Sequence, residues 1–470
     1  MRSFSRMRIP LLLTLLVGML IGAIAVGRTG FAAHAASASA AITLSPNSGP
    51  PTSVTTVAGT GFGTSELVVI TFDSKSVGST TTTPTGTFSQ NIHIPAAATP
   101  GSHAIQATGQ SSGDTAKARF LVKTNWKAFG YNSQHSHNNP YENVLSGTNV
   151  SGLAVKWSYP TGGAISSSPA EVGGLTFIGS QDGKVYAVNA SNGKIVWKYT
   201  TGGAVTSSPA VAYGLVYIGS SDQKLYALNV RSGALKWSYT TGGAISSSPV
   251  VANGIVYVGS ADDKLYALNA NNGSLKWSYT TGGAITSSPA IASSVVYVGS
   301  ADDNLYAIST AGALDWSYPT GGAVTSSPAV AGGVVYVGSA DDNLYAISTA
   351  GALDWSYPTG GAVTSSPAVA GGAVYVGSAD DNLYALNATT GALDWSYATK
   401  GVVSSSPTVA NSLVYVGSED DSIYAFGAKT GTLKWSYTSG NAVTSSPTVA
   451  NGVVYIGSAD DNLYAFALPA

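Results

Sequence analysis

From residue 151 onward, short apolar runs return at a fixed interval, separated by glycine, serine, asparagine and aspartate turns. Residues 301–339 and 340–378 are copies of one 39-residue unit that differ only at Val334 and Ala373. Each unit predicts four antiparallel strands. In one of them, residues 324–331 form the first strand and Gly332-Gly333 a hairpin turn; residues 334–338, 344–347 and 352–357 follow. Residues 334–337 are apolar on both faces, as in a strand covered on both sides. Residues 352–357 alternate, with Leu353, Trp355 and Tyr357 on one face and Ala352, Asp354 and Ser356 on the other. That pattern places them at a half-buried outer edge, blunted by Asp354 here and by Lys236, Lys276 and Lys434 elsewhere. Pro328 lacks an N–H, so the first strand belongs at the inner edge.

A period near 40 built from such strands predicts a β-propeller. Trp157, Trp197, Trp237, Trp277, Trp316, Trp355, Trp395 and Trp435 recur every 39 or 40 residues. Eight Ser-Ser-Pro strands accompany them, at Pro169, Pro209, Pro249, Pro289, Pro328, Pro367, Pro407 and Pro447. The last unit has no tryptophan strand of its own, whereas residues 152–159 precede any complete unit. Pairing the two ends predicts an all-β, eight-bladed propeller over 151–470, closed by the strand 152–159.

Three segments precede it. Residues 1–40 carry Arg2, Arg6 and Arg8, an apolar run over 9–26, and small-residue cleavage sites at 33–35 and 36–38. They read as a signal peptide, or, uncleaved, as a membrane anchor. Residues 41–123 predict a small β-sandwich with strands near 54–57, 67–72, 86–93, 103–108 and 116–122. Its stretches SPNSGPPTSVTTVAGTGFG, LVVITFD and ATPGSHAIQATG resemble the immunoglobulin-like (IPT/TIG-type) modules of bacterial surface proteins. That resemblance implies a spacer or adhesive role and no catalytic residue. Residues 124–150 are too aromatic for a flexible linker, since Trp126, Phe129, Tyr131 and Tyr141 favour burial. They are expected against the first or last blade.

Composition narrows the function. The net charge is −2, but residues 1–35 hold four arginines and no acid, so a chain cut after Ala35 carries −6. This disfavours nucleic acid or an anionic membrane surface as partner. There is no cysteine, which removes disulfides, thiolate metal sites, cysteine nucleophiles and a lipidated N-terminal cysteine. The mature chain is expected to be secreted or at the cell surface, with no membrane span after cleavage.

The spacing A-x-N-x-x-x-G-x-x-x-W stands as Ala187, Asn189, Gly193 and Trp197, then Ala227 to Trp237 and Ala267 to Trp277. With the YVGS-x-D-x-x-LYAL run, it resembles the PQQ-type propeller repeat of the quinoprotein-like superfamily. WKAFGYNSQHSHNNP resembles the lead-in many of these proteins carry. The resemblance implies that the eight tryptophans dock neighbouring blades. It also implies one of two functions. Quinoprotein dehydrogenases hold pyrroloquinoline quinone (PQQ) and calcium, whereas BamB-like members are scaffolds of outer-membrane barrel assembly without a cofactor. Adjacent cysteines typical of the dehydrogenases are missing, and the repeats are nearly uniform, whereas catalysis needs groups in different roles.

The remaining candidates are polar. Asp262-Asp263, Asp302-Asp303, Asp341-Asp342, Asp380-Asp381, Asp420-Asp421 and Asp460-Asp461 are predicted on one rim. They read either as weak calcium ligands or as turn carboxylates bonding nearby N–H groups. His135 and His137 lack further metal ligands nearby and read as packing residues of the lead-in. No histidine follows residue 150, so the paired serines have no base to make them nucleophiles. The reading is a non-enzymatic, monomeric propeller scaffold with no cofactor and a protein or glycan partner at the cell envelope. A carbohydrate-binding or adhesive propeller is the alternative, followed by a PQQ-dependent dehydrogenase.

Overall fold

The computed structural model describes residues 39–469, so the leader expected over 1–40 lies outside the described residues except for its last two. The chain first forms two small facing sheets. One orders Ala41–Ser45, Val54–Thr60 and Phe88–His93; the other orders Ser48–Gly49, Thr115–Val122, Gly101–Gly109, Leu67–Phe72 and Lys75–Thr81. Val57, Val68, Ile70, Phe88, Ile105 and Phe120 share their core. The sequence reading missed Lys75–Thr81, which is mostly Ser and Thr. Its hairpin is made by Asp73 and Ser74, both at positive φ (45° and 71°).

Downstream, among the described residues, eight antiparallel sheets each carry four repeat strands. In one, Ala329–Ala331, Val334–Gly338, Asn343–Ser348 and Leu353–Pro358 pair in chain order. The final sheet draws on both ends of the repeat region. Ala154–Pro160 pairs antiparallel with Asn462–Ala467, followed by Val453–Gly457 and Thr448–Ala450. Neighbouring sheets bury their faces against each other. Tyr336 and Leu344 of one meet Val374, Val376 and Leu386 of the next.

The inner strand is three residues long, shorter than the 324–331 expected. Pro328 cannot donate, and the serines before it bond sideways to the next sheet. Ser326 Oγ donates to the Ser365 carbonyl (2.9 Å) and the Ser327 N–H to Ser366 Oγ (3.0 Å). The same contacts join the last sheet to the first, from Ser445 Oγ to the Ser167 carbonyl and from Ser446 N–H to Ser168 Oγ (3.0 Å each).

The outer strand also departs from simple alternation. Ala346 opposes Trp355 and Ile347 opposes Leu353, so Asp354 is an extra residue in a bulge. The bulge turns Leu353 outward, 44% exposed, while Trp355 and Tyr357 stay on the covered face.

Candidate functional site

One rim of the repeat sheets is organised by carboxylates. Asp341 Oδ2 accepts the Tyr345 hydroxyl (2.6 Å) and the Gly321 N–H of the incoming loop (2.6 Å). Its Oδ1 accepts the Asn343 N–H (3.1 Å). A Cβ on Gly321 would lie 2.7 Å from Asp341 Oδ2, so the loop approaches closely here, although the Lys400 N–H makes the equivalent bond to Asp420 Oδ2 at 3.0 Å. Asp262, Asp302 and Asp380 bind Tyr266 with Gly242, Tyr306 with Gly282, and Tyr384 with Gly360 in the same way. Asp420 and Asp460 likewise accept Tyr424 and Tyr464. Burial works against ionisation of Asp302, Asp341 and Asp380. The tyrosine hydroxyl and the loop N–H outweigh it and hold these carboxyls below their usual range.

The second aspartates, Asp263, Asp303, Asp342 and Asp381, sit at φ 67°, 68°, 70° and 68°. Their carbonyls accept Thr281, Thr320, Thr359 and Thr399 hydroxyls. The same left-handed turn holds Asp421 and Asp461 (φ 67° and 69°). Calcium on the rim would have to displace the tyrosine and glycine donors, and no described group of three or more His, Asp or Glu is placed to hold a metal. The inner edge carries the same Ser-Ser-Pro in each repeat, without the differentiated groups a calcium–quinone site requires. These residues do not fit that pair.

The tryptophans reach across to the neighbouring sheet. Trp157 Nε1 donates to the Ala190 carbonyl (3.0 Å), and Trp197, Trp237, Trp277, Trp316, Trp355 and Trp395 repeat the contact 33 residues ahead. Trp435 completes the series on the Leu153 carbonyl (3.0 Å), just before the closing strand. Gly193 lies against Trp157 at φ 71°, where a Cβ would approach the ring to 2.9 Å, which accounts for the glycine of the A-x-N-x-x-x-G-x-x-x-W spacing.

The lead-in does more than lie on one end sheet. In each inner strand the middle residue turns its N–H away from the ladder. Glu171 exchanges two backbone bonds with Trp126 (2.8 and 2.9 Å). Val211, Ile291, Val330, Val369 and Val409 donate to the carbonyls of Lys127, Ser133, Gln134, Ser136 and His137 (2.6–3.0 Å). Asn139 Nδ2 donates to the Val449 carbonyl (2.8 Å). The segment is thus a collar touching seven of the eight inner strands, six through its main chain and one through Asn139. Sequence reasoning missed it because backbone partners far away along the chain leave no side-chain signature.

His135 and His137 are buried in this collar with Phe129 edge-on to both rings (centroids 5.4 and 4.8 Å). Among the described residues, His135 Nδ1 and both His137 nitrogens have no hydrogen-bond partner. Burial pushes His135 down to about 4 and His137 to about 3, the neighbouring His135 adding to the latter. Burial pushes the Glu171 carboxyl up to about 7, against bonds from the Gly174 N–H and Asn451.

A charge division also escaped the sequence reading. Residues 281–398, which build three consecutive sheets, hold nine aspartates and no other charged residue or histidine. Asp315, Asp354 and Asp394 line their outer strands, where Lys236, Lys276 and Lys434 stand on other sheets.

Comparison with known proteins gives the following. The family profile described as "Beta-alanine-activating enzyme, beta-propeller" matches residues 135–372, just over half of the chain. The profile "Outer membrane protein assembly factor BamB" matches residues 398–468. No curated protein matches the sequence. Among solved structures, BamB from Moraxella catarrhalis is similar with a TM-score of 0.60 and 21% identity, covering 67% of this chain and 99% of that one. Quinohemoprotein alcohol dehydrogenase ADHIIG from Pseudomonas putida HK5 gives 0.65 and 18%, covering 73% and 80%. The computationally designed Ika8 protein gives 0.60 and 18%, covering 66% and 97%. These likenesses establish the fold.

Proposed function

We propose that this chain, which belongs to the β-propeller family described as "Beta-alanine-activating enzyme, beta-propeller", is a non-catalytic scaffold that binds other proteins. One observation carries the reading. The polar groups repeated around the rim are used within the molecule, each first aspartate holding a tyrosine and a loop N–H, so they give the repeats shape and no reactive centre. We read the eight sheets as eight blades of one closed ring and the domain before them as immunoglobulin-like. The leader expected over 1–40 supports a location at the cell envelope. The similarity of residues 398–468 to the BamB profile supports a protein partner there. No helix among the described residues is long and apolar enough to cross a membrane.

The test is affinity capture of the tagged chain from native envelopes after chemical crosslinking. A stoichiometric protein partner is the expected result. Quinone absorbance appearing when PQQ and calcium are added to the purified chain, together with dye-linked alcohol oxidation, would replace the scaffold with a dehydrogenase.

A further inference from the structure

The collar skips one sheet. Val251, at the middle of Val250–Ala252, occupies the position held by Val211 and Ile291 in the flanking sheets. Among the described residues no carbonyl accepts its N–H or that of Val449; the Val449 carbonyl holds Asn139, so of the eight middle residues Val251 alone makes no hydrogen bond to the lead-in. The lead-in leaves the preceding sheet at Lys127 and returns at Ser133 on the following one. Between them it folds on itself, with Gly130 and Tyr131 at φ 69° and 75° and the Tyr131 N–H on the Ala128 carbonyl (3.1 Å). A groove of about 760 Å³ opens in the space left, walled by Ala128, Tyr131, Val211, Tyr213 and Val251. Its surface is mainly apolar, with one unused main-chain donor. Val251 supplies the donor; Asn125, also lining the groove, keeps a buried Oδ1 without a partner among the described residues. Tyr213, 61% exposed, is held over the next hairpin by the Gly254 N–H donating to its hydroxyl (3.0 Å).

We propose that this groove receives an extended segment of a partner protein, whose main-chain carbonyl accepts the Val251 N–H and completes the collar. The proposal rests on the scaffold reading and gives it an address. The molecule itself shows what satisfies such a donor: six equivalent N–H groups bind main-chain carbonyls of the lead-in. Strand addition at an open sheet edge uses the same bonds, while the wall beside them selects side chains. Small apolar side chains fit this one.

The probe is a phage-displayed random octapeptide library selected on the purified chain, with winners remade as free peptides. Bound peptides are expected to slow amide exchange at Val251, which in the free protein exchanges faster than Val211 or Ile291. Val251→Pro removes a donor that the fold does not use, and Ala128→Trp fills the groove. Each should lower peptide affinity at least tenfold, with the melting temperature read alongside. If Val251→Pro does not fold, Ala128→Trp and the exchange pattern carry the test. Selection of no peptide, or of peptides indifferent to both substitutions, would overturn the proposal. A partner captured from envelopes equally by wild type and Ala128→Trp would overturn the groove and leave the scaffold standing.

Discussion

At the scale of single residues, the rim shows how one carboxylate oxygen joins a strand to a loop. Tyr345→Phe removes one of two donors to Asp341 Oδ2 and leaves the Gly321 N–H in place. The expected cost is about 1–2 kcal/mol, read from urea unfolding. Asp341→Ala strands both donors and should cost more. The collar histidines make stability depend on pH. Above pH 6.5, their ordinary value, both imidazoles are neutral folded and unfolded, and their contribution is fully present. As pH falls toward about 4 for His135 and about 3 for His137, the unfolded chain takes up protons that the fold refuses. Stability then drops by up to ~1.4 kcal/mol per pH unit for each histidine. Glu171 acts in the opposite sense. Its folded value, raised from 4.5 to about 7, gives a contribution that is present at low pH and lost as pH rises through 7. Between pH 6.5 and 4.5 it offsets one histidine, leaving a net loss of roughly 1.4 kcal/mol per unit. Urea midpoints at pH 7 and 5 check the slope, and His137→Leu should flatten it.

Among elements, the outer strands each set a packed tryptophan two residues after an outward-facing apolar side chain. Trp157→Ala loses a buried ring and its bond to the Ala190 carbonyl, with an expected cost of about 3–5 kcal/mol. Leu353→Lys, on the outward side of the bulge, should change stability by less than about 0.5 kcal/mol. Paired denaturation curves of the two variants decide this. From the sequence alone, residues 352–357 look like one apolar face of three residues. The added residue at Asp354 breaks that face, and a bulge has no spelling of its own. Proline did reveal the inner strand, because a missing N–H is a property of the residue itself. The short length of that strand and the whole collar stayed hidden. Serine side chains and backbone groups find partners only once distant sheets lie side by side. The candidate groove stayed hidden for the same reason, since Val251 differs from Val211 in surroundings and hardly in sequence.

For the whole molecule, the decisive contact is the sheet shared by the two ends of the repeat region. Deleting residues 462–470 would leave Ala154–Pro160 without its partner and Val453–Gly457 with a bare edge. The expected outcome is a broad, several-step unfolding transition in place of one sharp one, seen by calorimetry, because an open array falls apart from its ends. The same pairing also sets a timetable. Ala154–Pro160 leaves the ribosome roughly 300 residues before its partner exists, a wait of about 15–60 s at ordinary synthesis rates. Throughout that interval the nascent chain carries one strand that nothing yet made can satisfy. Whatever shields it then, a chaperone or the sandwich emerging just ahead of it, helps decide how many chains close into rings and how many pair with a neighbour.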